Sequence, residues 1–265
     1  MGERLKRFVA TGIKPLRWLT LSLLRLKPFD FSIKNPFSGK RFKVNSYRHK
    51  GYWYFRGDRE KDTMRSLRSL VARGDTVIEV GGHIGFVTHL YSELVGQTGT
   101  VHVFEPGKNN LPYTRTNTAE LENVSLHELG CSDASGVVEF YEDSISGQNN
   151  SLREDFYGVE FVADSHFSAN ERSVTSIEVV ALGDFISKLE SPPDHIKVDA
   201  EGAELKILNG LGDYLGKIPC MMVEVTYEVN AVYALMAAAG YTAYDERLSP
   251  LSPEDRITGN VFFRL

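Results

Sequence analysis

From residue 60 onward, short apolar runs alternate with stretches of helical period. Met64, Leu67, Leu70 and Val71 recur at three- and four-residue spacing, which predicts a helix over 60–72. TVIEV at 76–80 reads as a buried strand, glycines turn the chain at 81–85, and 86–95 is helical again. VHVFE at 101–105 and a third strand at 124–129 enclose a helix over 108–121. An added hairpin strand at 137–141 leads into a polar stretch, 143–172, that contains the loop SGQNNS. Strands are predicted at 177–180, 196–199 and 220–225, with helices at 182–189, 201–211 and 229–239 behind them. Strands at 241–244 and 261–263 close the sheet. Short apolar strands alternating with helices predict an α/β fold, its mostly parallel sheet covered by helices on both faces.

The first 60 residues follow a different pattern, which divides the chain into a segment 1–60 and an α/β domain 61–265. In residues 1–27 apolar Leu5, Phe8, Val9, Leu16, Trp18 and Leu19 mix with Arg4, Lys6, Arg7, Lys14 and Arg17. That mixture fits an amphipathic helix, either lying on an anionic membrane or packed on protein. Residues 28–60 are rich in aromatic side chains, among them Phe29, Phe31, Phe37, Phe42, Tyr52 and Trp53. They form either the core of a small cap or a wall facing a substrate.

Charge sharpens the division. Residues 1–73 carry 19 Lys+Arg and 5 Asp+Glu, a net of +14, while residues 74–265 carry 11 and 30, a net of −19. An acidic body argues against nucleic acid as a partner, whereas the basic arm suits an anionic surface, substrate or second subunit. No run of 18 apolar residues occurs, and two cysteines make no disulfide framework. The expected setting is therefore reducing and cytoplasmic, with peripheral membrane contact left open.

The chemistry concentrates at two strand ends. The first is Glu79-Val-Gly81-Gly82-His83-Ile-Gly85, a strand running through glycines into a helix. Glycine lets the backbone turn tightly and approach a ligand, which in an open α/β sheet lies at the carboxyl ends of the strands. Glu105, ending the next strand, is placed to accept hydrogen bonds from a ribose diol. A dinucleotide site would want G-x-G-x-x-G, but His83 stands at the second required glycine. Glu79 beside the turn opposes a pyrophosphate and suits an ammonium group. Charge thus favours S-adenosyl-L-methionine, which carries both ribose and ammonium, over a nicotinamide cofactor.

The second strand end is IKVDAEGAE, residues 196–204. Asp199 at its strand end is placed to accept or orient a hydroxyl proton. Glu201 and Glu204 fall in the first turn of the next helix, where its dipole also favours acids. Glu224 ends the neighbouring strand on the same rim, and Lys197 within a covered strand calls for a carboxylate partner.

Together VIEVGGHIGFVT, VFEP, the RTN of 115–117, ELGCSD of 128–133 and IKVDAEGAELKILNG resemble the FkbM family of S-adenosylmethionine-dependent methyltransferases over roughly residues 70–245. The resemblance implies a class I methyltransferase fold and O-methylation of a sugar hydroxyl on a saccharide, glycolipid or glycosylated natural product. Carried onto this chain it implies a donor set of Glu79, Gly81, His83, Gly85, Glu105 and Pro106, with Ser132 and Asp133 near the adenine. It places Asp199, Glu201 and Glu204 on the substrate side. Where the family commonly has Asp followed by Gly-Ala-Asn, this chain has Glu79 and Gly81-Gly82-His83, so His83 replaces an amide.

Methylating an alcohol requires alignment of the reacting atoms and removal of a proton. The candidate bases are Asp199, His83 and Glu224, in that order; a neutral imidazole accepts a proton at pH 7. Asn149 and Asn150, in the polar insert, are residue types that contact sugars. No His/Cys spacing typical of a zinc site is present, and no metal is expected, although Asp199 and Glu224 are hard oxygen ligands. A homo-oligomer is compatible with the sequence. The rival readings are a nicotinamide oxidoreductase and a non-catalytic protein of membrane surfaces.

Overall fold

The structure is a computed structural model that describes residues 22–55, 60–143, 146–155 and 172–265. Most of the basic arm (1–21), together with Arg56 and much of the polar insert, lies outside the described residues.

The aromatic segment folds as a hairpin of β1 (Asp30–Lys34) and β2 (Arg41–Asn45), followed by α1 (Lys50–Phe55). Strand alternation sends Phe31, Ile33, Phe42 and Val44 to one face. There they pack with Tyr52, Ile84, Phe86 and Tyr113 in one hydrophobic cluster. Phe42 and Tyr52 are thus core, with Phe31, Phe37 and Trp53 packed partly buried against them, and this core includes residues of the following domain.

The domain then runs α2 (Lys61–Leu70), β3 (Thr76–Val80), α3 (Phe86–Val95), β4 (Thr100–Phe104), α4 (Leu111–Thr118) and β5 (Val124–His127). Next come β6 (Gly130–Ser132), β7 (Gly136–Asp143), β8 (Arg172–Ala181), α5 (Leu182–Ile186), β9 (His195–Val198) and α6 (Glu204–Asn209). The chain ends with β10 (Cys220–Val225), α7 (Val229–Ala238), β11 (Thr242–Tyr244) and β12 (Gly259–Arg264).

Seven strands form the central sheet in the order β11-β12-β10-β9-β3-β4-β5. The pairs β10/β9, β9/β3, β3/β4 and β4/β5 are parallel, and β12 is antiparallel to both its neighbours. From β3 the chain progresses outward to β4 and β5, then returns to β9 on the other side. That reversal opens a crevice at the carboxyl ends of β3 and β9. On one face Ile78, Val80, Ile196, Val198, Met221 and Val223 pack under the helices α5, α6 and α7. On the other, Val77, Val101, Val103, Met222 and Phe262 meet Met64, Leu67, Leu90 and Tyr91 of α2 and α3.

Three expectations change. The predicted strand 124–129 ends at His127, and Gly130–Ser132 joins a second sheet. That sheet has the order β6-β8-β7, so the predicted strand 177–180 is the end of a longer strand outside the central sheet. The predicted helix 201–211 begins only at Glu204, because Glu201 (φ 51) and Gly202 (φ 94) adopt left-handed backbone.

Candidate active site

The glycine turn after β3 is shaped by close packing. Gly81 and Gly82 donate their backbone N–H groups to the Phe104 carbonyl at 3.0 and 3.1 Å. Gly81 has φ 83, and a Cβ there would lie 1.8 Å from the carbonyl oxygen of Asp199. Only glycine lets the β3 turn lie against the end of β9. Gly85 (φ 84) begins α3.

The crevice is a cleft of about 290 Å³. Of the expected residues, Gly81, His83, Glu105, Pro106, Asn149, Asn150, Asp199, Glu201 and Glu224 line it. Gly82, Gly85, Ser132, Asp133, Glu79 and Glu204 do not. Three non-glycine residues with positive φ (Glu60 at 49, His83 at 48 and Glu201 at 51) all line this cleft. Such backbone costs on the order of 1 kcal/mol each and tends to gather at functional sites.

Glu105, just past β4, is buried. One carboxylate oxygen accepts from the His83 backbone N–H at 2.7 Å. The other accepts from the Gly107 N–H at 2.8 Å and the Asn110 side-chain amide at 3.2 Å. Burial, outweighing these hydrogen bonds, pushes its pKa up to about 7. The Oδ1 atom of Asn110 is itself buried with no hydrogen-bond partner among the described residues.

Glu79 is placed differently from the sequence expectation. Strand alternation turns it to the face opposite Ile78 and Val80, directly beside Lys197 of β9. It is buried beneath the cleft and accepts from the Thr88 hydroxyl at 2.7 Å. Burial raises its pKa to about 7, although Lys197 and Thr88 pull it down. It therefore supports the cleft from below rather than facing a ligand.

Lys197 joins the two layers. Its Nζ lies 2.9 Å from Asp199 Oδ2 and 3.4 Å from the Gly81 carbonyl. Burial alone would lower its pKa, but the charges of Asp199 and Glu79 more than offset this and hold the ammonium charged. Glu224 also hydrogen-bonds Asp199. The charge of Asp199, followed by burial and that hydrogen bond, pushes Glu224 far above the carboxylate range. Glu224 is the protonated partner at neutral pH and Asp199 the ionised one. Carboxylate oxygens of Asp199, Glu201 and Glu224 lie within 4.8 Å of one another, a spacing that hard cations accept.

The remaining expected residues hold the frame. Glu204 is buried, accepting from the Gly202 N–H at 2.8 Å and the Thr226 hydroxyl at 3.3 Å. Burial raises its pKa to about 7. Ser132 donates to Asp133 at 3.0 Å, and it is Gly130 and Cys131 that reach the cleft wall from this strand. Burial drives the Cys131 thiol pKa well up, so it stays a thiol. The Asn150 amide ties its loop to Asn109 Oδ1 at 2.8 Å and to the Asp143 N–H at 2.7 Å.

Sequence reasoning did not single out Tyr52, Asn110, Glu60, Phe140 or Ile177, which also line the cleft. Tyr52 stood within the aromatic run read as a possible wall. Asn110, five residues beyond Glu105, had no signal of its own.

A mostly parallel sheet with its crevice at the strand-order reversal, an acid at the β4 tip and a glycine turn at the β3 tip is the arrangement in which open α/β enzymes place a ligand. The chain belongs to the FkbM methyltransferase family: residues 79–243 match the methyltransferase FkbM domain. Its central sheet is that of the class I methyltransferase fold. Over 148 residues it is 32% identical to Methyltransferase 1 of Beauveria bassiana, covering 52% of this chain and 58% of that protein. The chain thus spans a little over half the length of this relative. It is 26% identical over 188 residues to the hexuronic acid methyltransferase AglP of Haloferax volcanii, covering 70% of each. Among solved structures, a SAM-dependent O-methyltransferase from Thermotoga maritima aligns with a TM-score of 0.41 and 13% identity, covering 77% of this chain and 64% of that one. At that score the likeness is loose, and the fold rests on the strand order.

Proposed function

We propose that the chain is an S-adenosyl-L-methionine-dependent O-methyltransferase whose acceptor is a sugar hydroxyl of a saccharide, glycolipid or glycosylated natural product. The observation that carries this reading is the buried Glu105 carboxylate on the cleft wall at the tip of β4, with Asn110 beside it. A ribose diol is the ligand such an acid suits, and Asn110 Oδ1, buried without a partner among the described residues, is a further acceptor for a hydroxyl. The hydrophobic wall of Phe104, Cys131, Phe140 and Ile177 suits an adenine ring. S-adenosyl-L-methionine would supply an electrophilic methyl group on a sulfonium and leave as S-adenosyl-L-homocysteine.

The ammonium of the donor is met by cleft-lining acids, Glu60 and Asp199, rather than by Glu79. Asp199, ionised between Lys197 and protonated Glu224, orients an acceptor hydroxyl. Glu201, Gln148 and Asn149 offer hydrogen bonds to a polyol. The relative that methylates a hexuronic acid supports a saccharide acceptor.

The test is product formation from methyl-labelled S-adenosylmethionine, with p-nitrophenyl glycosides, glycolipids and bacterial polysaccharide as acceptors. Label on a sugar oxygen is the expected result. Tight binding of NAD with none of the methyl donor, or label found only on nitrogen or carbon, overturns the proposal.

A further inference from the structure

We propose that Tyr52 and His83 form a proton relay, in which the Tyr52 hydroxyl meets the acceptor hydroxyl and passes a proton to His83. This rests on the reading that the acceptor is an alcohol. The hydrogen bonds of the His83 ring set its tautomer. Its Nε2 faces the Ser146 carbonyl at 3.2 Å, and its Nδ1 lies 2.9 Å from the Tyr52 hydroxyl. A carbonyl only accepts, so Nε2 carries the hydrogen. In the neutral ring Nδ1 is then bare and accepts the Tyr52 O–H. The phenol oxygen keeps lone pairs, and Tyr52 lines the cleft.

The pair is held rigidly. Tyr52 is buried, packed edge-on against Phe86 with centroids 4.9 Å apart and stacked on His83 at 5.5 Å. The indole N–H of the adjacent Trp53 donates to the Ser46 carbonyl at 3.0 Å, fixing α1. The His83 backbone is fixed by its N–H to Glu105 and by Thr114 donating to its carbonyl. The left-handed φ of 48 aims the ring across the cleft wall.

The rival base is weak. Asp199 already holds a salt bridge to Lys197 and the proton of Glu224. Among the described residues, the titratable and charged groups around His83 include Glu105, Tyr52, His49 at 5.7 Å between ring centroids, and Tyr113 with Asp30 behind His49. Arg48 and Lys50 flank His49, which burial keeps neutral with a pKa of about 2. Asp143, bonded to Ser146, faces the loop side.

In the relay, the acceptor oxygen forms its bond to the methyl carbon as the carbon–sulfur pair leaves with sulfur. The acceptor proton moves to Tyr52 Oη while the Tyr52 proton moves to Nδ1. Tyr52 ends as it began, and the imidazolium returns one proton to solvent after product release. Tyr52 is the catalytic residue here and His83 acts through it.

Two experiments decide the proposal. Nitrogen-15 NMR of histidine-labelled protein reads the tautomer without any acceptor; hydrogen on Nε2 and a bare Nδ1 are expected, and hydrogen on Nδ1 overturns the relay. In turnover with p-nitrophenyl glucoside, galactoside and glucuronide, Tyr52→Phe keeps the ring packing and is expected to lower kcat by about 100-fold. Donor affinity by calorimetry should stay within about twofold. His83→Asn, which tolerates left-handed backbone, should lose as much in kcat with little change in acceptor KM. The double variant should lose no more than either single one. Tyr52→Phe turnover near wild type, or losses that multiply in the double variant, overturns the relay alone. A wild-type protein that methylates none of these hydroxyls sinks the alcohol reading beneath it.

Discussion

Replacing Lys197 with methionine removes the cation between two carboxylates while keeping the volume of the side chain. At 2.9 Å from Asp199, the Coulomb attraction is about 6 kcal/mol at an effective dielectric constant of 20. Asp199 is 30% exposed, so water screens part of this, and breaking a buried pair typically costs about 3–5 kcal/mol. Lys197→Met should thus cost about 3–4 kcal/mol, a fall in Tm on the order of 10 °C for a chain of this size. The loss should also depend on pH. Glu79 has a pKa of about 7 in the folded protein against an ordinary 4.5. Folded protein therefore binds a proton that the unfolded chain lacks, and stability falls as pH rises through that window. Lys197 holds this pKa down, so its removal raises the folded value further and extends the window upward. The variant should lose about 1–2 kcal/mol less at pH 6 than at pH 8.5. Urea unfolding of both proteins at the two pH values measures this. A loss under about 1 kcal/mol, or one that grows on acidification, refutes the buried triad of Glu79, Lys197 and Asp199.

Gly81→Ala would place its Cβ 1.8 Å from a backbone oxygen, so it should destabilise by more than about 2 kcal/mol in urea unfolding; wild-type stability would contradict the packing of the β3 turn. Asp199→Asn removes one of the two carboxylates that meet the donor ammonium and the group that orients the acceptor, so it should weaken donor affinity by about tenfold and cut turnover by about 10²-fold or more, measured by calorimetry alongside product formation. Leu23, Leu26 and Phe29 are 57%, 80% and 55% exposed beside the basic arm. We therefore expect flotation with anionic but not zwitterionic liposomes, lost when residues 1–27 are removed; equal flotation without them refutes that contact.

Buried parallel strands read clearly because both faces are covered, leaving continuous apolar runs such as TVIEV and CMMVEV. β3 and β10 occupy the predicted residues, and β4 differs by one. The same double burial hid the direction of Glu79. Nothing in an apolar run marks which face leads to the crevice, and only the pairing of Glu79 with Lys197 across β3 and β9 reveals it. Glu105 was legible because it lies past the strand end, where the chain turns into the cleft. The second sheet was obscured by its composition, since β8 is half exposed along its length and is recognisable only through its pairing with β7. Tyr52 was hidden among aromatics that are mostly core, and its contact with His83 spans 31 residues.

The most direct measurement is a crystal structure with S-adenosyl-L-homocysteine. The nucleoside is expected along the cleft, with both ribose hydroxyls on the Glu105 carboxylate and the amino group near Glu60 and Asp199. A nucleoside bound elsewhere, or a Glu105 that keeps only its bonds to His83, Gly107 and Asn110 while the ribose points away, would contradict that placement.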